Sequence, residues 1–401
     1  MSDVSSTSRT GGVAWPGIAS FLVLAFGLSW LADLVLLLGG GLGNPAFGLI
    51  MQFRMMTPAF AAIVLGFFFD RNSVIHRGRL HGPVRLFILY FLGLTLLQAA
   101  GAGIAIASPA GIAPVSQALM AMNVVGLVAL VVLRSRKGGK ESFQGAGLAG
   151  GRWQVWALYG LGIIAFYGLQ AFLNYVTGLG APVDLATTLP PNALGAMPAP
   201  AFLAVGAFNA VGLGPLLGLV ITFGEEYGWR GYLQGELVRM GRRRGVLLLG
   251  VIWGAWHWPV IWMGYNYPGH PVLGSLAMVA VCVILSFFLA HAVYKAKGIW
   301  VAAYLHALSN QTLSFTFILL VKPADNLISF GIGLPGLALG TLVVLILLRD
   351  PIWREERLYR IGSSDCLVGR RLAGNRVRSP QAGHPGATRY GGRDHDDPHP
   401  R

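Results

Sequence analysis

The sequence predicts an all-α, polytopic transmembrane helix bundle of about ten spans, with both termini on the cytoplasmic side. Three observations lead there. Of the 401 residues, 54% are hydrophobic and only 11% charged, where a soluble globular chain carries about a quarter charged residues. Apolar stretches of around 20 residues recur along most of the length, each long enough to cross a hydrocarbon core of about 30 Å. The basic residues cluster in alternate connections, as the positive-inside rule requires of a chain that weaves through a bilayer.

The candidate spans begin near Trp15, Phe47, Leu86, Val115, Trp153, Ala201, Val246, Val272, Gly298 and Leu327. Each has an apolar core of roughly 18 to 24 residues. The first run, Trp15 to about Leu38, is too long for a signal-peptide core and lacks a clean cleavage site. It reads as a retained span that follows a polar, disordered N-terminus at 1–14. The second is the least regular, because Arg54 and Pro58 sit near its start. Arg71, Arg77, Arg79 and Arg85 lie between the second and third spans, and Arg134, Arg136, Lys137, Lys140 and Arg152 between the fourth and fifth. Arg239, Arg242, Arg243 and Arg244 separate the sixth from the seventh, and Lys295 and Lys297 the eighth from the ninth. The connection from Tyr175 to Pro200 has only Asp184 for charge, and the one between the ninth and tenth spans has the single Lys322. An even span count fits this alternation. There is no internal repeat.

Four regions follow: the N-terminus at 1–14, helices without a recognised motif at 15–200, a motif-bearing core at 201–349, and a basic, mostly disordered cytoplasmic tail at 350–401. The tail is rich in Arg, Gly, Pro, His and Asp and loses apolar periodicity after about Ile361. Its histidines, His384, His395 and His399, could bind metal adventitiously. Its first part, Trp353 to Arg360, is basic and aromatic and is expected to lie on the anionic inner leaflet. The formal net charge of +14 would suggest nucleic acid in a soluble protein. Here it sits largely in short loops and sets topology, so the expected partner is the lipid bilayer and not nucleic acid. Two cysteines, Cys282 and Cys366, make no disulfide framework.

Ionisable groups inside spans are expensive, so each needs an explanation. Glu225 and Glu226 close the apolar run of the sixth span, at its cytoplasmic end. Glu226 and Arg230 are four apart, share a helix face and can pair. Glu225 points about 100° away from Glu226 and is left free to face a cavity. In the seventh span, Trp253 and His257 share a face, with His257 about 17 Å along the helix. In the ninth, His306 and Asn310 are likewise four apart, with His306 about 12 Å in. Three helices thus bring polar groups to similar depths, which is how a bundle builds a polar site in its core. Asp33, in the first span, reads as a satisfied polar group without function. Trp256, Trp258 and Trp262 read as packing or interfacial residues.

A carboxylate in a partly dry cavity can take a proton from water, and His257 could hold and polarise that water. His306 and Asn310 could donate hydrogen bonds to an oxyanion developing on an attacked carbonyl. Together these groups are an apparatus for hydrolysing an amide by direct attack of water. Glu225, His257 and His306 could equally ligate a divalent metal such as zinc, and spacing does not decide between the two. There is no HExxH, no Ser nucleophile elbow and no Cys in register. A lone His in a span is more often a helix–helix hydrogen-bonding residue; the conjunction of three motifs argues for chemistry. Two rival readings are a non-catalytic immunity or scaffold protein that keeps the cavity, and a proton-coupled transporter, against which the lack of repeats counts.

Glu225-Glu226 with Arg230, then His257, then His306 with Asn310, resembles the CPBP family, the CAAX-processing and bacteriocin-processing intramembrane proteases also called Abi or Rce1-like. The resemblance covers about Ala201 to Leu320. It implies a helical fold with a cavity open to cytoplasm and membrane, and a membrane-associated protein or peptide as substrate. It assigns water activation to Glu225 and His257 and the oxyanion hole to His306 and Asn310. Glu226 and Arg230 then support the site. The family has been labelled both metalloprotease and glutamic protease, and a bacterial plasma membrane is the expected location. The second motif usually begins with Phe, where this sequence has Trp253, which is expected to change cavity shape more than chemistry.

Overall fold

Apolar helices dominate the chain from its first described residues onward. The computed structural model describes residues 13–188, 195 and 197–354, and all of them fall in one unit. The first stretch runs α1 (Trp15–Leu38), α2 (Phe47–Val64), α3 (Pro83–Ala107), α4 (Ile112–Ser135), the short α5 (Gly139–Gly145) and α6 (Trp153–Thr177). Prolines open α1 and α3, where a missing N–H costs nothing. Pro58 lies inside α2 without ending it, and a π-helical turn, Leu65–Phe69, closes that helix. Arg54, which makes this span irregular in sequence, is buried and ion-paired at 3.0 Å with Asp33 of α1.

A short strand β1 (Gly180–Pro182) and one turn of helix, α7 (Leu185–Thr188), follow. The next helical path is interrupted several times. It comprises α8 (Ala199–Phe208), a π-helical turn at Asn209–Leu213, α9 (Gly214–Leu217), α10 (Leu219–Glu226), a second π-helical turn at Tyr227–Leu233 and α11 (Gln234–Leu237). Past Glu225 and Glu226 the helical path continues through the π-helical turn Tyr227–Leu233. Then come α12 (Arg242–Trp256), α13 (Trp258–Trp262), α14 (Pro271–Ala296) and α15 (Trp300–Ser314). A π-helical turn Phe315–Leu320, strand β2 (Val321–Pro323), α16 (Leu334–Leu347) and a 3₁₀ turn Pro351–Arg354 complete the described chain. β2 pairs antiparallel with β1, Gly180 facing Pro323, and ties the end of α6 to the end of α15.

Among the described residues seven helical runs are long and apolar enough to cross a membrane, one of them the interrupted run Ala199–Leu217. Three expected spans differ. The seventh is broken at His257, the ninth is a helix of 15 residues prolonged by its π-helical turn, and the tenth has 14 residues. A hydropathy window is blind to such breaks, because they come from backbone hydrogen bonding and not from polarity. Outer faces such as Val128 and Val131 of α4 and Leu158 and Leu161 of α6 are exposed and apolar, as lipid-facing surfaces are. The polar groups run the other way: Asp33, Arg54, Glu225, Glu226, Arg230, His257 and His306 are all buried.

Of the tail expected at 350–401, only 350–354 fall within the described residues. Trp353, expected on the inner leaflet, packs against protein instead. Trp353 is buried, stacked on His291 of α14 with centroids 5.8 Å apart and edge-on to Phe287 and Tyr294. Asp350 fixes the turn by pairing with Lys295 at 2.5 Å and His291 at 3.2 Å. Residues 1–12 and 355–401, including Cys366 and the tail histidines, lie outside the described residues.

Candidate active site

Two glycine pairs bring the chemistry-bearing helices into contact. Gly224 and Gly228 bracket the two glutamates and face α2. A Cβ on Gly224 would sit 2.6 Å from the Cα of Met56, and one on Gly228 would overlap Pro58. Gly250 and Gly254 do the same one helix later, where a Cβ would lie 2.5 Å from the Cα of Val283 or Val279 of α14. Small residues four apart are the means by which membrane helices approach closely. Thr222 adds a hydrogen bond across to the carbonyl of Ala303 at 2.8 Å, joining α10 to α15.

Trp253 stands at the centre of what results. Its indole N–H donates to Oε2 of Glu225 at 2.8 Å. Its ring meets His306 edge-on at 5.5 Å and lies 6.0 Å from His257. The Arg230 guanidinium stacks over it at 4.2 Å. The indole supplies a donor to Glu225 that Phe, the usual residue at this place in the motif, lacks. Glu226 completes the second layer: one oxygen accepts from Arg230 at 3.0 Å and from Nδ1 of His306 at 2.8 Å. Arg230 also reaches Ser286 at 3.3 Å.

These bonds fix the imidazole tautomers. A carbonyl only accepts, so the 2.9 Å contact of His257 Nδ1 with the Trp253 carbonyl makes Nδ1 the protonated nitrogen. Nε2 of His257 keeps its lone pair. A carboxylate also only accepts, so Nδ1 of His306 donates to Glu226. Among the described residues, Oε1 of Glu225, Nε2 of His257 and Nε2 of His306 have no hydrogen-bonding partner in the protein. Those three atoms are the edges the site offers to a reactant. Cys282 of α14 lies 3.8 Å from His257 Nδ1 and closes that side.

His257 sits at the break between α12 and α13, followed by Pro259, which has no N–H to donate. The carbonyl of Trp256 is among the last of α12, where intrahelical donors run out. Two side chains from the N-terminal helices supply them: Arg54 of α2 at 2.5 Å and Trp30 of α1 at 3.2 Å. The Arg54 guanidinium also lies 3.6 Å over the Trp256 ring, whose own N–H donates to Ser29 at 2.7 Å.

Not every expected residue joins this cluster. Asn310 follows His306 by one turn but is exposed and makes no hydrogen bond among the described residues, while neighbouring Ser309 bonds the Tyr167 hydroxyl of α6 at 2.9 Å. Among the described residues no three or more His, Cys, Asp and Glu side chains are placed to hold a metal ion. Glu225, His257 and His306 do not form such a set. Sequence reasoning missed Arg54, Asp33 and Trp256 as parts of the site. It also missed the two glycine pairs, whose four-residue spacing was a readable signal. An apolar cavity of about 340 Å³, lined by Ile163, Phe166, Tyr167, Leu285, Ser309 and Val344, lies beside this end of α15.

Comparison with known proteins bears on the same segment. No curated protein and no solved structure matches the chain. Residues 207–312 match the family model described as type II CAAX prenyl endopeptidase Rce1-like, a range that begins ahead of the glutamate pair and ends just past Asn310. The segment 207–312 of this membrane protein is a domain of the Rce1-like family.

Proposed function

We propose that this protein is an intramembrane endopeptidase that hydrolyses a peptide bond of a membrane-associated protein or peptide. In this reading, Oε1 of Glu225 takes a proton from a water held by Nε2 of His257, and the water oxygen attacks the scissile carbonyl. The tetrahedral oxyanion is met by Nε2–H of His306. With Nδ1 donating to Glu226, Nε2 of His306 donates only from the imidazolium form, which the Glu226 carboxylate counterbalances. The intermediate collapses as the C–N bond breaks. Glu225 returns its proton to the leaving amine, and the products are a carboxylate and an amine.

The observation that carries the reading is the Trp253 indole, which bonds Glu225 while its ring meets His306 and lies beside His257. One rigid side chain thus touches the proposed base and both imidazoles, and the match of 207–312 to a peptidase family supports hydrolysis as the chemistry. The apolar cavity beside Ser309 suits a substrate with an apolar, membrane-embedded part. The test is to incubate the purified protein in liposomes with a prenylated peptide ending in a CAAX-type sequence and read products by mass spectrometry. A new carboxylate and amine pair at one position supports the reading. Intact substrate with correctly folded protein, across lipidated and unlipidated peptides, contradicts it.

A further inference from the structure

A buried arginine from outside the family-matched segment reaches the backbone at His257. Arg54 belongs to α2, and its partner Asp33 belongs to α1, whereas the matched domain begins at 207. Both side chains are buried at the depth of membrane-spanning helices, where an unpaired charge is costly and even a pair needs a reason to be kept. Their contacts supply one. Nε of Arg54 is held by the Asp33 carboxylate at 3.0 Å. The fork is thereby aimed so that its second nitrogen donates to the Trp256 carbonyl at 2.5 Å, and its plane covers the Trp256 ring at 3.6 Å. The same carbonyl accepts from Trp30, and the Trp256 indole is pinned to Ser29, which in turn bonds Thr57 at 2.5 Å. The Trp256 ring meets the imidazole of His257 edge-on at 4.8 Å. Both polar atoms of Trp256 that bond outside its own helix, the carbonyl oxygen and the indole nitrogen, are held by α1 and α2.

We infer that Arg54, oriented by Asp33, is a positioning residue for His257: it satisfies the carbonyl freed at the break between α12 and α13 and so sets the direction of the imidazole. A helix that ends mid-bundle leaves its last carbonyls seeking donors, and a water or a shifted turn would rotate the next side chain. The guanidinium fork suits the task because one rigid plane serves the carboxylate, the carbonyl and the aromatic face together. The catalytic reading of His257 rests on the proposed peptidase function; the positional role does not.

The test compares wild type with the double variant Asp33→Leu/Arg54→Met, which removes both charges and strands neither, and with Arg54→Lys, which keeps a charge and one donor. Two readouts are taken on full-length protein in liposomes. The first is kcat and KM for cleavage of a lipidated peptide. The second is the ring ¹⁵N spectrum of histidine-labelled protein, with His257 assigned by its loss in His257→Gln. The double variant is expected to lose about a hundredfold in kcat, the size of effect that small misplacement of a reacting group produces, with KM changed by less than about twofold. Arg54→Lys recovers part of the loss, and the His257 ring signals shift in the double variant. Wild-type kcat and unmoved His257 signals in the double variant overturn the inference. Should the double variant not fold, wild-type values of both readouts in Arg54→Lys overturn it. If wild type itself cleaves nothing, the peptidase reading fails while the ring spectrum still decides the positional role.

Discussion

At Trp253 this chain departs from the pattern its motifs otherwise follow, and the departure adds a hydrogen-bond donor to Glu225. A phenyl ring would keep the packing against His306 and the stacking under Arg230 but would leave Oε2 of Glu225 without its donor. A hydrogen bond to a charged group contributes roughly 1.5–3 kcal/mol. Trp253→Phe is therefore expected to lower kcat by about tenfold or more with little change in KM, read by initial-rate kinetics on the lipidated peptide. Sequence reasoning reached part of this layer. The i, i+4 spacing of Glu226 and Arg230 made their pairing legible, because both partners lie on one helix face. The bond from His306 to the same carboxylate crosses helices far apart in sequence, and no local spacing encodes it. Arg54 was misread for the same reason: its partner lies on another helix, so in sequence it looked like an interruption of a span.

Among the elements, the two glycine pairs control how closely the site helices approach. Gly254→Val would force its side chain against the backbone of Val279 and push α12 from α14, carrying Trp253 and His257 away from Glu225. Overpacking of this kind costs about 1–3 kcal/mol, so the unfolding midpoint in detergent should fall. Gly93→Ala is the control: a methyl there meets nothing within 4 Å on an exposed face of α3, and the substitution should leave stability unchanged or raise it by about 0.4–1 kcal/mol. The helices themselves were legible because apolar runs and flanking basic clusters write them into composition. Their internal breaks were not. Pro259 gave a signal for the break at His257, but the donors that make the break tolerable, Arg54 and Trp30, come from α1 and α2.

For the whole molecule, the last described residues, 350–354, fold back onto α14. The turn at Pro351–Arg354 is held by Trp353 among Phe287, His291 and Tyr294 and by Asp350. Burial alone would push the Asp350 carboxyl up, but hydrogen bonds from Lys295, the Ile352 N–H and His291, with the Lys295 charge, hold it down at about 2. The carboxyl is more acidic folded than unfolded, so its contribution to stability is complete above about pH 4 and is lost as pH falls through about 2. Asp350→Asn should thus lower the thermal unfolding midpoint at neutral pH, and the gap to wild type should close as the pH drops through that window. A gap that stays constant down to about pH 2 would show that the carboxylate charge is not what holds the turn.

Glu225 acting as the base beside His257 and His306 is tested most directly by single-turnover cleavage with Glu225→Gln in liposomes. The substitution keeps the size of the side chain and an oxygen for the Trp253 indole while removing the base. The account predicts a fall of about 10²–10⁴-fold in the cleavage rate, the usual contribution of a positioned general base, with substrate binding and the unfolding midpoint preserved. Cleavage at the wild-type rate by that folded variant would contradict it.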